Sequence, residues 1–439
     1  MRATLLGVGS VLISATSGAQ MPEPFTLADA FKLADGQHPS ERVSQAAVSL
    51  AEAERLGVDA GSGVKADLNA MLRAVDPNDI SSNQEHNDSQ ASLVVSKRLY
   101  DFGQTAALEA GADAAIQASR LQLIAERNNR AIEVLRRYLD VVEADLNAAA
   151  ATENMTMRFL NADRARERAE MQRDSDLRVA ELDADFQRER VDFVAAEALQ
   201  RSSRARLSNA LNRPTEVAST VVAPNFPGNQ RKLPELAGLL ETALKNNPEL
   251  ASLDASVTKA RQALAASEKS GSPVLSGQLE ANHWERDLGG RDYWRGSLML
   301  KVPLFTGGSV DAAVAKAAAQ LASAEAKRDA AALRIRQEVL EAYEGVGIGK
   351  AKVQRAEVEL AYRELDLDRA RGEYQLEFKA DLGDAMVRFS NARLINARAH
   401  HDLAMAWARL DSLRGEPVQE RVLGIGLPPE KAEGSQAEQ

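Results

Sequence analysis

The sequence predicts a mostly α-helical protein with a small β part, in which a unit of long α-hairpins and two β-strands occurs twice. Aromatic residues make up only 4% of the 439 residues, and 27 glycines and 14 prolines are few for this length. Charged residues of both signs make up 27% of the chain, as is typical of exposed helix faces. Short motifs also recur in the same order about 205–209 residues apart, which indicates one duplication rather than a solenoid.

Charge and cysteine content exclude several classes of function. Lys and Arg number 54 against 64 Asp and Glu, so the net charge is −10, and without a basic patch we expect no nucleic-acid partner. The chain has no cysteine, which excludes disulfides, thiolate metal sites, a cysteine nucleophile and a lipid on an N-terminal cysteine. The adjacent His400 and His401 diverge on a helix and suit no single metal ion. Phosphate-binding loops and nucleophile elbows are missing, so we expect neither an enzyme nor a cofactor.

The N-terminus is typical of a secretory signal peptide over residues 1–19. Arg2 supplies a positive charge, residues 3–16 are apolar, and small residues at Ser17 to Ala19 precede a cleavage position before Gln20. The apolar run is too short to span a bilayer, and no later segment offers about 18 consecutive apolar residues. We therefore expect an exported protein that no helix anchors.

The remaining sequence divides into two structural repeats and a tail. We place the first repeat at 20–232, the second at 233–416, and a polar, disordered tail at 417–439. The two repeats share motifs at corresponding positions. These are Leu27–Pro39 with Leu236–Pro248, Leu99–Gly103 with Leu304–Gly308, and Asp176-Leu177 with Asp381-Leu382.

Each repeat is predicted to begin with a helix of about 30 residues, followed by two strands. The helices are expected at 26–57 and 234–269. Segments rich in Val, Leu and aromatic residues, joined by polar linkers, predict the strands as hairpins. Their expected ranges are 64–73 and 89–100 in the first repeat, and 273–284 and 293–305 in the second.

A very long helical stretch completes each repeat, at 103–212 and 308–414. Neither stretch contains a proline, and each must fold back once. The periodic pattern lapses near 171–176 and 376–381, where we expect the turns of two α-hairpins. Alanine-rich faces allow their helices to pack closely.

Four strands per chain cannot close a membrane barrel, which needs about eight or more. Each predicted strand nevertheless has the length of a tilted transmembrane strand, and an open sheet is not tolerated in hydrocarbon. Trp284, Tyr293 and Trp294 stand at a strand end, where aromatic residues contact the membrane interface. The sequence therefore predicts a trimer that completes a 12-stranded β-barrel continued by an α-helical tunnel.

These duplicated motifs resemble the TolC family of outer-membrane efflux and secretion channels. The resemblance rests on the pairs His38-Pro39 and Asn247-Pro248, on Leu99–Gly103 and Val302–Gly308, and on the segment from Asp381 to Ala385. Each motif is weakly specific alone, but the ordered, duplicated set covers nearly all of residues 25–415.

The resemblance implies a passive homotrimeric conduit in the outer membrane of a Gram-negative bacterium, with a periplasmic portion. It also implies a periplasmic adaptor protein and an inner-membrane pump or ABC exporter as partners, besides outer-membrane lipid. Such channels expel drugs or secrete proteins in type I systems. The sequence leaves these two roles open, and Leu99–Gly103 is slightly closer to the secretion branch.

Candidate site residues lie at the predicted hairpin turns. The resemblance implies that Asp381 and Asp384 form an acidic channel constriction that favours cations, and it makes Asp176, Arg371 and Tyr374 candidates for gate contacts. The alternative is an ordinary solvated helix face. The family usually has a glycine shortly before the Asp-x-Leu turn, and this chain has none there, which bears on adaptor docking.

Two further alternatives remain at this stage. The charge-dense run 164–190 is either a solvated, salt-bridged helix surface or part of an adaptor footprint. The whole protein is either the channel described above or an exported helical scaffold that forms no pore. A scaffold would have no use for four strands of membrane length.

Overall fold

The computed structural model describes residues 22–34, 38–376 and 382–424. The first repeat contains helices α1 and α2, strands β1 and β2, and the long helices α3 and α4. Their bounds are Leu27–Ala34, Pro39–Ser62, Lys65–Met71, Gln90–Tyr100, Gln104–Glu170 and Asp176–Ala210. The second repeat contains the same series as α5, α6, β3, β4, α7 and α8, and a short helix α9 follows. Their bounds are Leu236–Asn246, Pro248–Glu268, Val274–Trp284, Trp294–Lys301, Ser309–Gln375, Leu382–Leu413 and Val418–Val422.

The predicted fold class is confirmed, with one correction at the start of each repeat. The single helices expected at 26–57 and 234–269 are each two helices, and the second begins at Pro39 or Pro248. Proline lacks the N–H that a continuous helix needs and forces the preceding residue into an extended conformation. Asn247 accordingly has ψ 122° and caps α6, its Oδ1 accepting hydrogen bonds from the N–H groups of Glu249 and Leu250 at 3.0 and 3.1 Å.

The four strands form one antiparallel sheet in the order β1-β2-β3-β4. The chain order equals the spatial order, so each strand contacts the next one in sequence. The pairing of β2 with β3 connects the two repeats, with Leu93 opposite Ala281. One outer side of β1 and one of β4 have no strand partner within the described chain.

The hairpin turns lie where the sequence predicts them. Helix α3 ends at Glu170 and α4 begins at Asp176, and α7 ends at Gln375 before α8 begins at Leu382. Residues 377–381, between these two helices in the sequence, lie outside the described residues. Among the helices that the structure describes, none is apolar over a sufficient length to cross a membrane.

The chain divides into two compact units, each with its own core. The described residues of one unit are 22–34, 134–225, 359–376 and 382–397. Its fully buried Tyr138 donates a hydrogen bond to the carbonyls of Phe25 and Val222 at 3.0 and 2.6 Å, which ties the N-terminal segment to α3. Elsewhere in this unit, thin apolar seams connect the helices of each hairpin.

The other unit comprises residues 38–133, 226–358 and 398–424 within the described chain. Its main core connects α5 and α6 with α7 and α8, and its largest buried members include Leu250, Ile335, Leu403, Trp407 and Leu410. The tail was predicted to be disordered from 417, but its first residues form the short helix α9, in which Val418 and Val422 are buried. The rest of the tail from 425, like the predicted signal peptide, lies outside the described residues.

Candidate channel site

The strand register separates apolar from polar side chains on the sheet. Residues opposite each other in an antiparallel pair share a face, and neighbours along a strand alternate. One row across the sheet joins Leu68, Leu93, Ala281 and Trp294. This face also carries Ala66, Ala70, Ala91, Val95, Leu275, Leu279, Leu298 and Leu300, with Lys97 and His283 as its polar exceptions.

The opposite face of the sheet is predominantly polar. The adjacent row joins Asp67, Val94, Glu280 and Arg295. Further polar members of this face are Lys65, Asn69, Gln90, Ser92, Ser96, Arg98, Ser276, Gln278, Asn282, Ser297 and Lys301. The sheet is thus amphipathic, yet its apolar side is open, with Leu68 and Leu298 each 75% exposed.

Two loops from different repeats are joined at one end of the sheet. Asp88, only 3% exposed, accepts hydrogen bonds from Arg73 of its own loop and from Arg291 of the other loop, the latter at 2.8 Å. The hydrogen bond from Arg291, together with that from Arg73, holds the pKa of Asp88 below its usual value. The Arg291 guanidinium also lies 5.5 Å from the centre of the Trp284 ring.

Arg286 strengthens the junction between the loops. It is nearly buried, and it donates to the Asn83 carbonyl at 3.1 Å and to the Ser81 Oγ at 2.7 Å. Sequence reasoning assigned Trp284 to the membrane interface but missed this polar network. The unusual density of charged residues beside Trp284 was the available signal.

The first hairpin turn is built around a left-handed residue. Gln172 has φ +61°, and the Arg173 and Gln172 N–H groups donate to the carbonyls of Arg168 and Ala169, each at 2.8 Å. This is the Schellman pattern that ends many helices, usually with glycine at the left-handed position. Helix α4 then starts with Ser175, whose Oγ accepts from the Arg178 N–H at 3.2 Å.

The predicted site residues occupy both hairpins of the same unit. Asp176 is exposed at the start of α4, and Asp384 is half-buried in the first turn of α8. Asp381 lies outside the described residues. Tyr374 is 63% exposed near the end of α7, while Arg371 pairs with Asp368 of its own helix at 3.3 Å.

The described residues do not bring these candidates into direct contact. No ion pair or hydrogen bond joins Asp176, Arg371 and Tyr374 within the described part of this unit. The constriction and gate assignments therefore stay predictions. No cluster of metal-ligating side chains occurs among the described residues. The predicted absence of a metal site nevertheless stays a prediction.

A charged cluster on the second hairpin was missed by sequence reasoning. Asp366 is 8% exposed, and its carboxylate accepts from Arg369 at 2.7 Å and from Arg388 at 3.1 and 3.3 Å. Arg363 lies 3.9 Å away. Hydrogen bonds from Arg369 and then Arg388 hold the pKa of Asp366 below its usual value. Arg388 belongs to α8 and therefore connects the two helices of the hairpin.

Comparisons with known proteins identify this architecture. Residues 239–416 match the model of the outer membrane efflux protein family. The fold is similar to a membrane protein from Pseudomonas aeruginosa, with TM-score 0.73, 16% identity, and 90% and 91% of the two chains covered. It is also similar to the CmeC outer membrane channel of Campylobacter jejuni, with TM-score 0.73, 14% identity, and coverage of 91% and 89%. The resemblance to the TolC family is confirmed.

One further solved structure has a similar fold. The open-state MtrE outer membrane channel of Neisseria gonorrhoeae has TM-score 0.70, 16% identity, and 90% of both chains covered. No curated protein sequence matches the chain significantly. The family model describes an outer membrane efflux protein, which agrees with the predicted outer-membrane localisation and periplasmic portion.

Proposed function

We propose that this protein is the outer-membrane channel of a tripartite export system, a passive homotrimeric conduit from the periplasm to the exterior. The amphipathic, open-edged sheet carries this proposal. Its apolar face suits lipid, its polar face suits an aqueous lumen, and its outer strands β1 and β4 are available to pair with neighbouring chains. Three chains contribute 12 strands, enough to enclose a water-filled barrel.

The assembly is tested in outer-membrane fractions. We expect chemical cross-linking to give a species of three chains, and the purified protein to form discrete conductance steps in planar bilayers. One cysteine in β1 and one in β4, placed to meet across the proposed junction between chains, should give disulfide-linked trimers. The chain has no cysteine of its own, so any disulfide must join the introduced residues. A stable monomer that conducts ions by itself would contradict the proposal.

The proposed periplasmic mouth lies at the second hairpin turn, with Asp381 and Asp384 as its acidic ring. Six carboxylates in a trimer would favour cations and bind multivalent cations. We expect Asp384→Ala to lower cation selectivity and to weaken block by cobalt hexammine added from the periplasmic side. Asp402→Ala is the matched control, because Asp402 is an exposed carboxylate of the same helix, 18 residues after Asp384, and is paired with Lys352. Equal effects of the two variants would show that Asp384 is only a solvated surface charge.

The transported cargo is a separate part of the proposal. The family description favours efflux of small molecules, while Leu99–Gly103 resembles the branch that serves type I secretion. Gene deletion distinguishes the two roles: efflux predicts increased sensitivity to drugs or metals, and secretion predicts loss of a protein from the culture medium. In either case, copurification should recover a periplasmic adaptor together with a pump or an ABC exporter.

A further inference from the structure

The two helices of the second hairpin are held together near the proposed mouth by very little apolar surface. The buried seam consists of Leu367, Ala370 and Ala385, with Leu382 and Phe389 partly buried against it. Alanine contributes one methyl group, so such a seam gains little hydrophobic free energy and discriminates poorly between neighbouring registers. Farther from the turn, the main core already holds α8 against α7. Only the orientation of the first turns of α8 is therefore left to another contact, near the mouth.

The ion pair between Asp366 and Arg388 supplies that contact. Arg388 donates through both Nε and Nη2 to Oδ2 of Asp366, and the carboxylate is 8% exposed. Charge-assisted bonds with two donors depend strongly on orientation. Asp384 stands four residues before Arg388, so the two side chains are about one helical turn, or ~6 Å, apart along the axis.

The first hairpin has a corresponding contact of opposite polarity. There, Arg166 of α3 pairs with Asp183 of α4, beside a seam of Ala162, Ala165 and Leu182. Arg388 lies 205 residues after Asp183, the same spacing as between the paired motif residues Asp176 and Asp381. Each repeat therefore places one cross-helix ion pair two turns inside its return helix.

We propose that the Asp366–Arg388 ion pair is a positioning contact, which sets the rotation of α8 on α7 and thereby the place of Asp384 at the channel mouth. This inference rests on the proposed channel function and adds to it. Contacts inside each hairpin then contribute to the width of the constriction, alongside any contacts between protomers. Arg369 bonds to the same carboxylate but lies on α7, so it has no part in orienting α8.

The test compares Arg388→Gln with Arg369→Gln. Each variant removes one positive charge and one partner of Asp366, but only the first breaks a contact between helices. In planar bilayers we expect Arg388→Gln to raise the single-channel conductance at least about twofold, and Arg369→Gln to keep the parent value. Arg388→Lys retains the charge with a single donor group and should lie between them.

A second measurement reports position directly. In the cysteine-free chain, Asp384→Cys provides a unique thiol, whose rate of modification by a charged methanethiosulfonate reagent is measured in each background. We expect the rate to change severalfold with Arg388→Gln and to stay constant with Arg369→Gln. If Arg388→Gln does not assemble, Arg388→Lys carries the same comparison.

The outcomes distinguish failure of the positioning role from failure of the channel function on which it rests. Pores in which Arg388→Gln changes neither conductance nor thiol reactivity would overturn the positioning role and leave the channel function intact. Equal effects of Arg388→Gln and Arg369→Gln would also overturn it, because they would reflect charge alone. A parent protein that forms no pores would refute the channel function and this inference with it.

Discussion

Replacing Asp411 should destabilise the protein by several kcal/mol, because this carboxylate is completely buried. Asp411 accepts hydrogen bonds from both terminal nitrogens of Arg231 at 3.2 and 2.9 Å. Arg231 also stacks on Trp407, 4.3 Å from the ring centre, and donates from Nε to the Gly228 carbonyl at 2.9 Å. Arg231 lies in the segment between the two repeats, so the pair ties that segment to α8.

Removing one partner of a buried ion pair typically costs about 3–5 kcal/mol. The Arg231 side chain is 18% exposed, so water can partly solvate it in Asp411→Ala, and we expect the lower end, about 3 kcal/mol. At roughly 2 °C per kcal/mol for a protein of this size, the apparent melting temperature should fall by about 6 °C. Circular dichroism in detergent at a fixed scan rate measures this, since unfolding of such proteins is often irreversible.

Two comparisons make the measurement decisive. Asp402→Ala breaks the exposed pair of Asp402 with Lys352, 3.4 Å apart, and should shift the melting temperature by no more than about 2 °C. The double variant Arg231→Met/Asp411→Leu removes both buried charges and should recover most of the loss. If Asp411→Ala and Asp402→Ala have the same melting temperature, or if the double variant is as unstable as Asp411→Ala, the buried ion pair does not have the predicted effect on stability.

Three further predictions follow from local features. Gln172→Gly should raise the melting temperature and Gln172→Val should lower it in the same circular dichroism scan, because φ +61° disfavours side chains and most strongly β-branched ones. The lowered pKa of Asp88 means that its stabilising effect is present above the ordinary Asp pKa and is lost as pH falls through the lower folded pKa. Protease cleavage of the surface loops on whole cells should therefore be equal at pH 7 and pH 5, and should increase at both in Asp88→Asn. N-terminal sequencing of the outer-membrane form should begin at Gln20, and retention of Met1 would contradict the signal-peptide assignment.

The order of elements was predictable from the sequence because each boundary has a local cause. The strand expected at 89–100 is observed at Gln90–Tyr100, since alternation and a polar linker define it. The turn expected at 171–176 follows from a lapse in helical periodicity. The break at Pro248 was also encoded locally, but one helix was predicted to run through this proline, which is in fact the first residue of α6.

The polar networks were not predictable in the same way. Asp366 and Arg388 are 22 residues apart on different helices, and their contact depends on a register that the alanine-rich seam leaves open. Asp88 and Arg291 belong to different repeats and meet only because β2 pairs with β3. Such contacts depend on tertiary geometry, and periodicity along one segment carries no information about them.

The open outer strands have a genetic consequence. A sheet that pairs β4 of one chain with β1 of the next makes every chain part of two junctions, so one defective strand breaks a closed ring. If a variant carries proline in β1 and is produced in equal amount with the parent, only about one in eight of the proposed trimers would contain parental chains alone. Such an allele should therefore be dominant, and its phenotype should weaken steeply as the share of parental chains increases.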